Sequence, residues 1–208
     1  MIIDWFLENY IEVLGAIAGI IYVFLEIRAS VWLWPLGIIT SAAYIWVFFN
    51  GKLYAEMSLQ VYYVIISVFG LIWWLKGTRQ KTSETESKKE KLQITNLKLQ
   101  TGVILAIISI ILFAAIWATL KHLTDSPVPA WDAFITSLSV VATWMLARKI
   151  LQHWLLWIVI NTAAVMLFVM RGLYPTAILY TIYGLMSFVG LREWRRSMGK
   201  QINVRCFE

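Results

Sequence analysis

Residues 153–168 read HWLLWIVINTAAVMLF, a run free of Asp, Glu, Lys and Arg that continues to Met170. At a rise of about 1.5 Å per residue, a helix of this length approaches the roughly 30 Å of hydrocarbon in a bilayer. Yet Asn161, with two amide donors and a carbonyl acceptor, stands near its middle. Trp157 precedes it by four residues, so indole and amide share one face of a helix.

Uncharged apolar stretches of similar length occupy 31–49, 57–75, 99–120 and 172–191. Two more, 12–27 and 131–147, are less clean, with acidic residues at their starts and Arg28 or Arg148 just past their ends. The chain of 208 residues is 60% hydrophobic, 15% aromatic and only 14% charged, more apolar surface than a soluble domain can cover. The pattern predicts an all-α membrane protein with seven transmembrane helices. The opening MIIDWFLENY lacks the cationic region and small-residue cleavage site of a signal peptide, so the mature chain is expected to begin here.

The net charge of +6 does not point to nucleic acid, because the cations are sorted by side. Assigning successive connections to alternate faces puts 15 of the 18 Lys and Arg on one face and 3 on the other. By the positive-inside rule the crowded face is cytoplasmic, with the N-terminus outside and the C-terminus inside. Such a result requires an odd number of helices, as seven supplies.

The segment KGTRQKTSETESKKEKLQITNLK, 76–98, has no apolar period and divides the chain. Shifting the second half by 120 positions gives 14 identities over the 47 positions 28–74, without a gap. They include Arg28/Arg148, Trp34/Trp154, Tyr63/Tyr183, Ser67/Ser187, Gly70/Gly190 and Trp74/Trp194. We read a three-helix repeat with one helix between the copies. An even number of crossings separates the copies, so they run parallel, as in transporters that bind substrate between two bundles. The expected organisation is 1–75 as the first three-helix bundle and 76–98 as a cytoplasmic charged loop. It continues with 99–120 as a linking transmembrane helix, 121–195 as the second bundle and 196–208 as a cytoplasmic tail.

The copies differ where Trp157 and Asn161 stand: their counterparts are Gly37 and Ser41. A pocket would then be deep beside Gly37 and lined opposite by an indole and an amide. Two readings of Asn161 stand at this point: a hydrogen bond between helices, worth roughly 0.6–2 kcal/mol in a membrane, or a contact to a ligand. Gln60 and Tyr180 occupy equivalent positions, as do Tyr63 and Tyr183, each several residues inside the predicted helices. They line a cavity or pack against a neighbouring helix. Trp32, Trp34, Trp73, Trp74, Trp131 and Trp194 fall near helix ends and read mostly as an interfacial aromatic belt. Glu26, Glu56, Asp132 and Glu193 also lie near ends, within reach of headgroups, Arg28 or water.

Catalysis finds little support. One cysteine, Cys206, and two histidines build no Cys/His metal cluster, and neither a Walker-type nor a GxGxxG loop is present. The chain is read as a non-enzyme without metal or cofactor and without an ATP site of its own. His153, beside Arg148 and Lys149, is expected to meet headgroups; an enzyme would have to work through it.

The segment WLLWIVIN at 154–161, the run WPLGIITSAAYIWVFFNGKLYAEMSLQVYY at 34–63 and the 3+1+3 repeat together resemble the PnuC family of bacterial vitamin transporters. The W-x-x-x-N pattern of Trp157 and Asn161 is the most specific element, with KLYA and Leu59-Gln60 second. The resemblance implies a fold similar to the sugar transporters of the SWEET group and multi-pass residence in the bacterial inner membrane. It further implies facilitated transport of nicotinamide riboside by alternating access, with thiamine or riboflavin carried by close relatives. Uptake is made one-way by phosphorylation, so a cytoplasmic vitamin kinase is an expected functional partner beside the vitamin and the lipid bilayer. A homo-oligomer is compatible with it. The stretch LEIRASVWLW at 25–34 resembles thiamine-type members, but nicotinamide riboside is the substrate expected. Trp157, Asn161, Gln60, Tyr63, Tyr180 and Tyr183 are then the expected substrate-binding residues.

Overall fold

The computed structural model describes residues 10–50, 54–76, 92–124 and 127–205, with side chains for all of these except 10–13, 54–56 and 202–205. The KLYA signature at 52–55 therefore falls outside the fully described residues, as does 77–91 of the charged segment. Seven helices run through the described chain: α1 Tyr10–Ile27, α2 Leu33–Asn50, α3 Tyr54–Lys76, α4 Leu99–Leu123, α5 Pro129–Ala147, α6 His153–Met170 and α7 Tyr174–Arg205. Six are long and apolar enough to cross a bilayer, and α1 adds the shorter apolar stretch Leu14–Ile27. The chain is an all-helical multi-pass membrane protein. Its exposed surface is apolar, as at Trp46, Ile110 and Leu75, whereas Ser137, Ser139, Thr143, Asn161 and Ser187 are buried. This inverts the soluble pattern, because lipid rewards no polar surface and packed helices supply partners.

Two compact units divide the helices: Met1–Leu92 holds α1 to α3, and Gln93–Glu208 holds α4 to α7. In the first unit α2 packs against both α1 and α3; in the second, α4 to α7 pack each against the next. The helix expected to link the bundles packs on α5. The unit also begins inside the expected loop. Ile94 is buried, Thr95 N–H donates to Lys149 O at 3.0 Å, and Leu151 N–H donates to Thr95 O at 2.9 Å. Gln152 fastens the same strip, its Oε1 accepting from Leu97 N–H at 2.8 Å and its Nε2 donating to Asn96 Oδ1 at 3.1 Å. Extended backbone needs such partners, and the α5–α6 turn offers its own unpaired groups. At the other end, α7 runs unbroken past residue 196 to Arg205.

The α1–α2 turn of the first unit and the α5–α6 turn of the second have the same geometry. Ala29 (φ 47°) and Lys149 (φ 52°), 120 positions apart, both take the left-handed conformation just past a helix end. Ser30 N–H returns to Leu25 O at 2.9 Å and Ala29 N–H to Glu26 O at 2.9 Å; Ile150 N–H returns to Met145 O at 3.0 Å and Lys149 N–H to Leu146 O at 2.9 Å. These are Schellman closures, which satisfy the carbonyls a helix end leaves open. They set the angle at which each chain re-enters the bilayer.

Immediately after each turn stands a buried tryptophan. Trp34, 0% exposed, opens α2, and its ring occupies the space where a β-carbon on Gly70 of α3 would lie. One turn on, Trp74 meets Trp34 edge-to-face at 5.4 Å. In the second unit Trp154 fills the notch at Gly190, and Trp194 meets it edge-to-face at 5.9 Å. Trp34, Trp74 and Trp194 are therefore core residues, correcting the aromatic-belt expectation; Trp32, 73% exposed, is consistent with it. The notch explains the difference: a glycine lets the helices approach closely enough to enclose an indole that would otherwise sit at the interface. His153 is corrected likewise. It is fully buried, its ring 4.7 Å from both Trp154 and Trp194, with Nδ1 2.7 Å from Ile150 O. It meets no headgroup and presents no exposed acid–base group. Glu26, expected to reach headgroups, Arg28 or water, is 2% exposed in the first unit.

Gly190→Ala and Gly70→Ala are each expected to destabilise by about 1–3 kcal/mol, because a rigid indole must move. Thermal unfolding of the purified protein, followed by tryptophan fluorescence, measures this. Gly199→Ala, with nothing within 4 Å, serves as the control and should be neutral or stabilising.

Candidate functional site

Asn161 lies on α6 two turns beyond the Trp154 lock and is 4% exposed. Its Nδ2 donates to Ser187 Oγ of α7 at 3.3 Å, and Ser187 Oγ donates to Tyr183 O at 2.8 Å. A hydroxyl has one proton, and here the carbonyl of Tyr183 takes it. Ser187 can thus only accept from Asn161, which fixes which end of the amide faces α7. The second N–H and the carbonyl of Asn161 are the groups beyond this bond. Interhelical bonding and ligand contact are therefore compatible in one side chain.

Trp157 is half-buried one turn earlier, and its Nε1 is enclosed without a hydrogen-bond partner among the described residues. On α7, Gly184 lies opposite: a β-carbon there would stand 3.7 Å from Asn161 Cβ, in ordinary contact. Tyr180 packs against Tyr183 at 5.7 Å, nearly perpendicular, and against Phe168 of α6 at 5.1 Å. The second unit thus brings together Asn161, Tyr183 and Tyr180 on facing helices, with Trp157 on the same face of α6 as Asn161. Ser187, not among the expected site residues, joins Asn161 here through a hydrogen bond. Its signals were the identity with Ser67 and its place four residues after Tyr183.

Gln60 and Tyr63 belong to α3 of the first unit, where both are partly buried and Tyr63 lies 5.6 Å from the ring of Tyr62. The counterparts of Asn161 and Ser187, Ser41 and Ser67, are also buried. The expected depth beside Gly37 is not left open within this unit. A β-carbon there would meet Ser67 Oγ at 3.1 Å and Tyr22 Cε2 at 3.3 Å, so neighbouring side chains already fill the space.

These features define a multi-pass helical membrane protein whose second unit holds a buried amide–hydroxyl pair beside an indole N–H that has no partner among the described residues. Residues 9–196 match the nicotinamide mononucleotide transporter family, and the chain belongs to that family. It is similar to the nicotinamide riboside transporter PnuC of Escherichia coli (strain K12), 26% identical over 206 residues, covering 91% of this chain and 86% of that protein. The riboflavin/roseoflavin transporter RibM of Streptomyces davaonensis is 24% identical over 183 residues, covering 88% of this chain and 83% of that protein. The crystal structure of the vitamin B3 transporter PnuC matches with a TM-score of 0.72 at 22% identity, covering 96% of this chain and 86% of that one. The two share a fold.

A double-mutant cycle between Asn161→Leu and Ser187→Ala is expected to show a coupling of about 0.6–2 kcal/mol in unfolding. Additive losses would mean that the bond contributes nothing to stability.

Proposed function

We propose that this protein is a facilitative transporter of nicotinamide riboside across the bacterial inner membrane, working by alternating access. The observation that carries this reading is the site on α6. Trp157 offers a flat aromatic face, and its Nε1 has no hydrogen-bond partner among the described residues. Asn161 is held by Ser187 in an orientation that commits one N–H to α7. A cationic heterocycle bearing a hydroxylated sugar suits such a site: the indole stacks on the ring by cation–π contact, and the amide bonds the carboxamide or the ribose. Similarity to relatives named as nicotinamide riboside transporters supports the same substrate. A second reading, riboflavin, is favoured by the similarity to RibM. Thiamine remains an arm of the test on chemistry alone.

In this reading the helices form two parallel three-helix repeats joined by α4. The matching turns at Ala29 and Lys149 and the matching tryptophan locks, each 120 positions apart, support that arrangement. Transport is downhill, and phosphorylation of the vitamin by a cytoplasmic kinase makes uptake one-way. The distribution of Lys and Arg supports a C-terminus in the cytoplasm.

Proteoliposomes containing the protein should take up labelled nicotinamide riboside, whereas a non-transporting scaffold would show no uptake. In calorimetry, Asn161→Leu should weaken binding at least about tenfold by leaving the ligand's polar groups unpaired. Unchanged affinity sinks the site, and stronger binding of riboflavin or thiamine replaces the substrate. Gln60→Ala and Tyr63→Phe are the corresponding tests in the first unit. For the orientation, Cys206 is the single cysteine. A membrane-impermeant maleimide should label it in permeabilised cells and leave it unlabelled in intact ones.

A further inference from the structure

From Tyr174 to Lys200, α7 shows one exposed face. Tyr174, Ile178, Leu185, Phe188 and Val189 are each 57–63% exposed, apolar and turned away from the rest of the unit. Trp194, 1% exposed, fixes the buried side of the helix at its far end. Two residues along a helix are about 200° of rotation, so Arg192 and Arg196 lie opposite Trp194. Lys200 follows at the same spacing, and Arg195 flanks them; all four are exposed. The cationic face therefore continues the apolar face in register, with Glu193 alone carrying opposite charge at its edge.

Position along the helix adds the second half of the argument. From Tyr174, Val189 is about 23 Å further on, Arg192 about 27 Å and Lys200 about 39 Å. Hydrocarbon is roughly 30 Å thick, so the change from apolar to cationic falls where acyl chains give way to headgroups. The three arginines are exposed, and at headgroup depth their guanidinium groups can reach phosphate oxygens with paired N–H donors. We infer that the exposed face of α7 binds anionic phospholipid, with the acyl chain along Ile178–Val189 and the phosphate held by Arg192, Arg195 and Arg196, supported by Lys200. This inference is independent of the transported substrate. It also goes beyond the sidedness of charge, since the positive-inside rule needs cations near the membrane but not a selective lipid site.

The test uses the full chain purified in detergent and titrated with dioleoyl phosphatidylglycerol or dioleoyl phosphatidylcholine, with thermal unfolding as the readout. Apparent affinity for phosphatidylglycerol should exceed that for phosphatidylcholine at least about tenfold. In R192Q/R195Q/R196Q the preference should fall to within about twofold, whereas Lys121→Gln, at the far end of α4, should keep it. Inorganic phosphate at equal concentration should give no comparable shift; an equal shift would mean an anion site without lipid specificity. Equal response to both lipids, or a preference that survives the triple substitution, overturns the proposal. Should the triple variant fail to fold, the wild type still decides: a preference unweakened by 0.5 M salt counts against guanidinium–phosphate pairing, as screening at about that strength must reduce it.

Discussion

The fold depends on an indole seated in a glycine notch. Helices in lipid gain nothing from hiding leucine, which is as well solvated by acyl chains as by protein, so close contact must come from shape. In each unit a tryptophan at the start of one helix fills the space left by a glycine on the next, and a second tryptophan closes the contact edge-to-face. Such aromatic pairs contribute about 0.5–1.5 kcal/mol beyond their buried area. The lock works because the preceding turn is also fixed: the left-handed residue at 29 or 149 aims the chain so that the tryptophan arrives at the notch. Both lock indoles leave Nε1 buried without a partner among the described residues, a cost offset by packing that no smaller side chain could supply.

Having fixed the helix pair at one end, the second unit can hold a polar contact in its middle. Asn161 lies two turns along from Trp154, and Ser187 one turn from Gly190, where the backbones remain close enough for a 3.3 Å hydrogen bond. The first unit has serines at both equivalent positions and a glycine where the second has Trp157. The same frame thus carries different polar groups, and the richer set belongs to the second unit. Tyr180 and Tyr183 of α7 pack on this side, whereas its opposite side is apolar and then cationic.

Function follows from that division of labour. The lock, the turns and the strip at 94–97 are structural: they occupy the first turn of α6 and its approach, and they bury His153 where an exposed histidine was expected. The candidate site residues Trp157 and Asn161 occupy the next two turns of α6, with one amide N–H committed to Ser187. A transporter needs this combination, since a site that is to release its ligand must be held by the protein and not by the ligand.

Periodicity and composition were enough to find the helices, their number, the 120-residue offset and the pairing of Trp157 with Asn161 on one face, because each is a property of a single helix or of sequence spacing. The identities at Trp34, Gly70 and Trp74 were also visible, but their meaning was not. A tryptophan near a helix end reads as interfacial until a glycine on another helix is seen to receive it. Ser187 was likewise visible as a repeat identity, but its bond to Asn161 emerges only when α7 places the two together. What spacing determines is which residues share a helix face. What only tertiary structure decides is which face meets which, because that depends on how closely two backbones approach, and here a missing β-carbon sets the approach.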